Sequence, residues 1–213
     1  FVRYVPLAKD HCDRIMFVCP ERLIPLFSNV PGVDELRTAG DFAVDSFQAY
    51  TPLLSLPLLA STTLENIPAP ASFLTPSEKD LKLPDFGPEN PKLKVGICWA
   101  GSRTHLNDKN RSASLRDFSR MFEIPDVAFY SLQIDESTQE LEEFPDQVCC
   151  IKDLQGNWAE AATLFQQLDL VIAVDTGVIH LAASLGIPTW VALSHHADWR
   201  WLLNRSDSPW YPS

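Results

Sequence analysis

Apolar positions in this 213-residue chain fall into short unbroken runs and runs spaced three or four apart. Five unbroken runs stand between residues 92 and 205: Lys94–Trp99, Val127–Gln133, Val148–Ile151, Leu170–Val174 and Thr189–Leu193. Their length, β-branched content and flanking turn signals predict strands buried on both faces, as in a parallel sheet. The stretches between them predict helices: Leu115–Phe122, the acidic Ser137–Phe144, Trp158–Leu168 and Val178–Leu185. In the third, Trp158, Ala161, Ala162, Phe165 and Leu168 share one side. Gly186 and Pro188 end the fourth. Five strands with four intervening helices predict a doubly wound α/β sheet for this part of the chain.

The first 66 residues alternate in the same way, less regularly. FVRYVPLAKDHC predicts a helix, Arg14–Val18 a strand and Glu21–Phe27 a helix, and a turn at Gly32 leads to another extended piece. Phe47–Ala60 is apolar but is interrupted by Pro52 and Pro57. That pattern argues against a long helix or a central strand, and predicts segments packed as core or cleft wall. Residues 67–91 are dense in proline among charged and small polar residues. They predict a linker between a first unit, 1–66, and a second, 92–213. No period of about 20 to 50 residues marks an internal repeat.

Charge narrows the function classes. The formal net charge is -11 and the sequence pI is near 4.8, which argues against a general nucleic-acid binder or a protein of anionic membrane surfaces. No apolar run approaches the roughly 20 residues of a membrane helix, and no signal-type segment opens the chain, so a cytoplasmic protein without a membrane span is expected. The five cysteines, Cys12, Cys19, Cys98, Cys149 and Cys150, form no C-x-x-C pair. They read as reduced thiols in or beside apolar runs.

In a doubly wound sheet, ligands bind beyond the carboxyl ends of the strands. That rule selects loops 100–114, 133–137, 152–158 and 175–180, and the turn after Leu193. Loop 100–114 combines Gly101, the hydroxyls of Ser102 and Thr104, and the cations Arg103, Lys109 and Arg111. Such a set suits a diphosphate, or is a solvated loop of positive charge. Asp175-Thr176-Gly177 opens a helix that carries His180 on its first turn. There a hydroxyl, a close backbone approach and an imidazole face one ligand; helix capping and a core histidine are the alternative, and capping is compatible with binding. His195 and His196 with Asp198 offer too few ligands for metal, and the tryptophans of Asp198–Pro212 are expected to pack on the sheet rather than stack a base. The absence of G-x-S-x-G, Walker and G-x-G-x-x-G patterns argues against hydrolase, triphosphatase and dehydrogenase readings.

Three stretches together, VGICWAGSRTHLNDKNRS, LDLVIAVDTGVIHLAASLGIPTWVAL and DWRWLLNRSDSPWYPS, resemble the heptosyltransferase-like (family 9 type) glycosyltransferases of the GT-B fold. The likeness extends to FVRY, the VPGV turn and the SLPLL segment, and is nearest to the transferase module that follows tetratricopeptide repeats in bacterial proteins. The resemblance implies two Rossmann-like domains with parallel sheets facing one cleft. It implies an inverting, metal-independent transfer from a nucleotide-sugar, with no other cofactor, to a glycan or protein acceptor of unknown identity. Carried onto this chain, Ser102, Lys109 and Arg111 would contact the donor diphosphate within the loop from Gly101 to Ser112. Asp175, Thr176, Gly177 and His180 would hold the phosphates and sugar, and Gln133 the nucleoside. The family's first strand and the glycine-rich loop carrying its acidic base would precede Phe1, and its tail would follow Ser213. The expectation is therefore a chain shortened at both ends, with an incomplete N-terminal domain, a tetratricopeptide-repeat region upstream and no assignable catalytic base. A catalytically inactive nucleotide-sugar-binding or scaffold module is the alternative, and a sugar-nucleotide epimerase a third reading.

Overall fold

Each of the five runs in the second part of the chain forms a strand: β3 (Leu93–Cys98), β4 (Val127–Ser131), β5 (Val148–Cys150), β6 (Leu170–Val174) and β7 (Thr189–Ala192). They were traced in a computed structural model that describes residues 1–43, 46–70, 72–76 and 79–213. The strands lie in the order β5-β4-β3-β6-β7, all pairs parallel. Counted from β3 this is the 3-2-1-4-5 order of a Rossmann-like sheet, and the order reverses between β3 and β6. Gly96 pairs with Val171 and Cys98 with Ala173 across that junction.

Successive residues of β3 point to opposite faces, and each face has its own core. Val95, Ile97 and Trp99 join Phe129, Val148 and Ile172 beneath Leu115. Cys98 joins Ala128, Tyr130, Leu132, Val171 and Ala173 beneath α5 (Trp158–Phe165) and α6 (Gly177–Ser184). The helices on the first face are wound as 3-10 helices, Leu115–Glu123 and Glu136–Glu143. Leu115, Phe118 and Met121 pack together on the sheet, and a repeat of three matches the 3.0 residues per turn of that helix. Glu140 bolts the two helices to the end of β3. Its carboxylate accepts from Trp99 Nε1 at 3.0 Å, Ser114 Oγ at 2.6 Å and Leu115 N at 2.8 Å.

The first part of the chain is built from short pieces. These are α1 (Val5–Lys9), the parallel pair β1 (Met16–Val18) and β2 (Glu35–Arg37), α2 (Ile24–Phe27) and α3 (Leu56–Leu59). Val2, Val5, Leu26 and Val30 enter the same core as α5 and α6. The segment around α3 departs from its expected role as core or cleft wall. Leu56 is buried and Leu53 packs partly buried against the core, but Tyr50, Leu54, Leu58 and Leu59 are exposed, the prolines at 52 and 57 leaving two short turns in place of a long helix.

Within the proline-dense stretch, Ala71, Ser77 and Glu78 lie outside the described residues, as do Val44 and Asp45 before it. The described part of that stretch is strapped to the second unit. Leu74 and Leu83 are buried, Phe73 N donates to Ser184 O at 3.0 Å, and the Gln167 side chain accepts from Leu83 N and donates to Leu81 O. Tyr130 Oη donates to Pro84 O. Missing donors at proline leave these few bonds to hold an extended strap. Among the described residues no helix is long and apolar enough to cross a membrane.

Replacing Glu140 leaves the fully buried Trp99 and Leu115 donors without their acceptor. Glu140→Ala is expected to cost about 2–4 kcal/mol, read as a lower midpoint in urea unfolding, and Glu140→Gln, which keeps one acceptor oxygen, less.

Candidate functional site

Beyond the carboxyl ends of β3 and β6 lies a cleft of about 320 Å³, within the 300–1,000 Å³ typical of small-molecule sites. Its position follows from the strand order: the chain leaves β3 toward one face of the sheet and β6 toward the other, so a gap opens between them. Of the sequence-predicted residues, Arg111, Asp175, Thr176, Gly177 and His180 line it.

Arg111 ends α4, the single turn Asp108–Arg111. Its Nη1 donates across the gap to Asp175 O at 3.0 Å, and its Nε lies 3.5 Å from the buried Asp108 carboxylate. The same carboxylate accepts from Ser112 Oγ at 2.8 Å, and Ser112 Oγ accepts from Gly101 N at 2.9 Å. Gly101 and Ser112 thus brace Arg111 rather than face the cleft. A Cβ on Gly101 would collide with the guanidinium, so glycine here makes room for a side chain of the protein itself.

The other predicted residues stand apart from the cleft lining. Ser102 Oγ is exposed and shares a 2.8 Å hydrogen bond with Thr104 Oγ1. Lys109 is exposed and is not part of the cleft lining. Gln133 is buried under the loop, where its amide donates to Ala100 O and Asp135 Oδ1 and accepts from Ala100 N. It fixes the exit of β3.

Across the gap, Thr176 is the N-cap of α6 and makes no capping bond. Its Oγ1 is buried and has no hydrogen bond of ordinary geometry in the protein, although it lies close enough to the Cys98 thiol to oppose burial, which pushes that thiol up to about 12. The first amides of an eight-residue helix therefore border the same space as Arg111, with the Thr176 hydroxyl buried beside Cys98. Gly177 is tightly packed: a Cβ would stand 2.8 Å from the Trp158 ring, so glycine lets Trp158 cover the start of α6.

The third wall comes from the segment after β7. Arg200 lines the cleft beside His196 and Asp198. Asp198 caps the 3-10 turn Trp199–Trp201 by accepting from Arg200 N at 3.0 Å, and its carboxylate lies 3.3 Å from Arg200 Nε. The strand-end rule pointed to this turn, but its tryptophans suggested packing and drew attention from the arginine between them. Trp201 is buried as expected, whereas Trp199 is 60% exposed. His105 and Asn107 also line the cleft, and no pattern in the sequence singles them out from their polar loop.

His180 sits at the back. Its ring stacks on Trp201 at 5.7 Å and 10°, Nδ1 is 2.8 Å from Tyr211 Oη, and Nε2 is 3.9 Å from Asp175 Oδ1. Burial lowers its pKa from 6.5 to about 4; Asp175 opposes the shift and Arg200 adds to it. The imidazole is therefore neutral at pH 7, and the cations of the cleft are guanidiniums.

A histidine that titrates lower in the folded protein than in the unfolded chain is protonated first in the unfolded state. Its stabilising contribution is complete above pH 6.5 and is lost as the pH falls toward 4. Thermal unfolding of the parent is expected to lose more between those pH values than that of His180→Gln. With the ring partly open to solvent, the difference is on the order of 1 kcal/mol, or about 2–4 °C in Tm.

With this geometry in place, comparisons with known proteins bear on its second wall. The family described as glycosyltransferase family 9 (heptosyltransferase) matches residues 134–194, the stretch that contains β5, α5, β6, α6 and β7. Over 203 residues the chain is 26% identical to protein FlbA of Caulobacter vibrioides, a similarity that covers 90% of this chain and 31% of FlbA. The chain thus spans less than two thirds of the length of that curated relative. No solved structure matches. The segment that supplies Asp175, Thr176, Gly177 and His180 is similar to the family 9 glycosyltransferases.

Proposed function

We propose that this chain carries the donor site of a glycosyltransferase that uses a nucleotide-sugar, with the diphosphate held between Arg111, Arg200 and the start of α6. One observation carries the reading: at the switch point of the sheet, a guanidinium and a helix terminus without a side-chain cap face one cleft. Guanidiniums and helix amides stabilise the charge that builds on a departing nucleoside diphosphate. From groups already fixed in place, that stabilisation needs no rearrangement at the moment of bond breaking. The similarity of residues 134–194 to family 9 supports glycosyl transfer in particular over other reactions of diphosphates.

The finer reading is a GT-B arrangement in which 92–213 binds donor, 1–66 belongs to the acceptor side and 67–91 joins them. Transfer is inverting and metal-independent, the two arginines and α6 serving where a cation would otherwise balance the leaving group. Within the loop from Gly101 to Ser112, Asp108, Ser112 and Gly101 keep Arg111 in place, and Ser102 and Lys109 reach a ligand only at the outer rim. The acceptor is a glycan or protein.

Calorimetric titration with ADP, UDP, GDP and their sugar conjugates tests the site. Binding of at least one is expected. Arg200→Ala should weaken it about 10- to 100-fold, the equivalent of one charge-assisted hydrogen bond, and Thr176→Val about fivefold. Unchanged affinity in both folded variants would falsify the phosphate assignment. Incubation with labelled donor then separates the alternatives: a glycoside or free sugar marks a transferase, an epimer marks an epimerase, and binding without turnover marks a binding module.

A further inference from the structure

The contact between His180 Nδ1 and Tyr211 Oη, 2.8 Å long, can run in either direction, and the direction decides which ring nitrogen carries the proton. The surroundings of Tyr211 settle it. Arg3, which has donors and no acceptor, lies 4.8 Å over the Tyr211 ring and so offers the phenol proton nothing to bond to. On the other side of the imidazole the Asp175 carboxylate stands 3.9 Å from Nε2 and favours a proton there, which leaves Nδ1 bare. Burial meanwhile raises the phenol above its ordinary pKa, so the hydroxyl keeps its proton. Tyr211 Oη has no other hydrogen bond of ordinary geometry among the described residues, so its own proton goes to the bare nitrogen in reach.

We infer that Tyr211 is a positioning residue: its hydroxyl donates to His180 Nδ1 and so fixes the neutral imidazole with its proton on Nε2, facing the cleft. The stack on Trp201 holds the ring plane, and the 3.9 Å separation from Asp175 Oδ1 is too long for a hydrogen bond that would use up this N–H. The cleft thereby gains an uncharged donor beside its guanidiniums. Such a donor can bind a phosphate or sugar oxygen without adding to the charge that must be balanced when the diphosphate leaves. Its use toward a ligand rests on the donor-site reading above; the tautomer does not.

The test is nitrogen-resolved NMR of protein labelled with 15N-histidine, with the His180 signals identified by their loss in His180→Gln. The expected spectrum at pH 7 shows Nε2 protonated and Nδ1 bare. Tyr211→Phe, which keeps the ring and removes the hydroxyl, should convert this to a mixture of tautomers. In the same variant, affinity for inorganic pyrophosphate should fall about fivefold, the equivalent of one neutral hydrogen bond. In a His180→Gln background, whose amide donor does not depend on Tyr211, adding Tyr211→Phe should change pyrophosphate affinity little. A proton found on Nδ1, or a tautomer indifferent to Tyr211→Phe, overturns the inference. If the spectrum is as expected and pyrophosphate does not bind the parent, the tautomer assignment stands and the donor-site reading falls.

Discussion

The reversal of strand order between β3 and β6 is the constraint on which the rest of the structure depends. Segments leaving adjacent strands toward opposite faces cannot fill the space between them with backbone, so a side chain must cross it. Arg111 does so. Its Nε is paired with the Asp108 carboxylate, and its Nη1 spans the gap to a backbone carbonyl. The single turn that presents it is too short to be stable by itself. Asp108, Ser112 and Gly101 supply the stability that the turn lacks.

The cleft is assembled from parts of the chain with different mechanical standing. The start of α6 is embedded in the core, with Ile179, Leu181 and Ala182 buried and Trp158 pressed on Gly177. The wall after β7 consists of turns, tied down by aromatic contacts among Trp199, Trp201, Trp210 and Tyr211. A rigid half and a tethered half suit a site that must hold one end of a ligand firmly and admit the other.

The central sheet was legible because each of its strands is a short apolar run with turn residues at both ends; β3, β4 and β6 are buried on both faces as expected, whereas the edge strand β7 leaves Trp190 65% exposed. The winding of the helices over Leu115 and Glu140 was not legible: apolar residues three apart suit either an α-helix or a 3-10 helix, and packing decides. Asp175 to His180 could be read as half of a site because its residue types at a strand end have few other uses. The opposite half was only partly legible. Arg111 and Lys109 look alike in sequence, but a buried carboxylate one turn away turns the first inward and leaves the second in solvent. The resemblance implies that Gln133, at a strand end, contacts the nucleoside, whereas its amide closes on the backbone of the neighbouring loop. Arg200 was hidden by the tryptophans on either side.

The link between the two ends of the chain has a consequence for the order of events in folding. Arg3 donates to the carbonyl of Trp210 across 207 positions and covers the ring of Tyr211. The sheet, by contrast, is closed by strands that are near neighbours in sequence, apart from the β3–β6 pair. Contacts of such long separation form slowly because the chain between them must first be ordered. During vectorial synthesis every strand of the sheet emerges ahead of Tyr211. The aromatic wall behind His180 is therefore the last part of the cleft to be built.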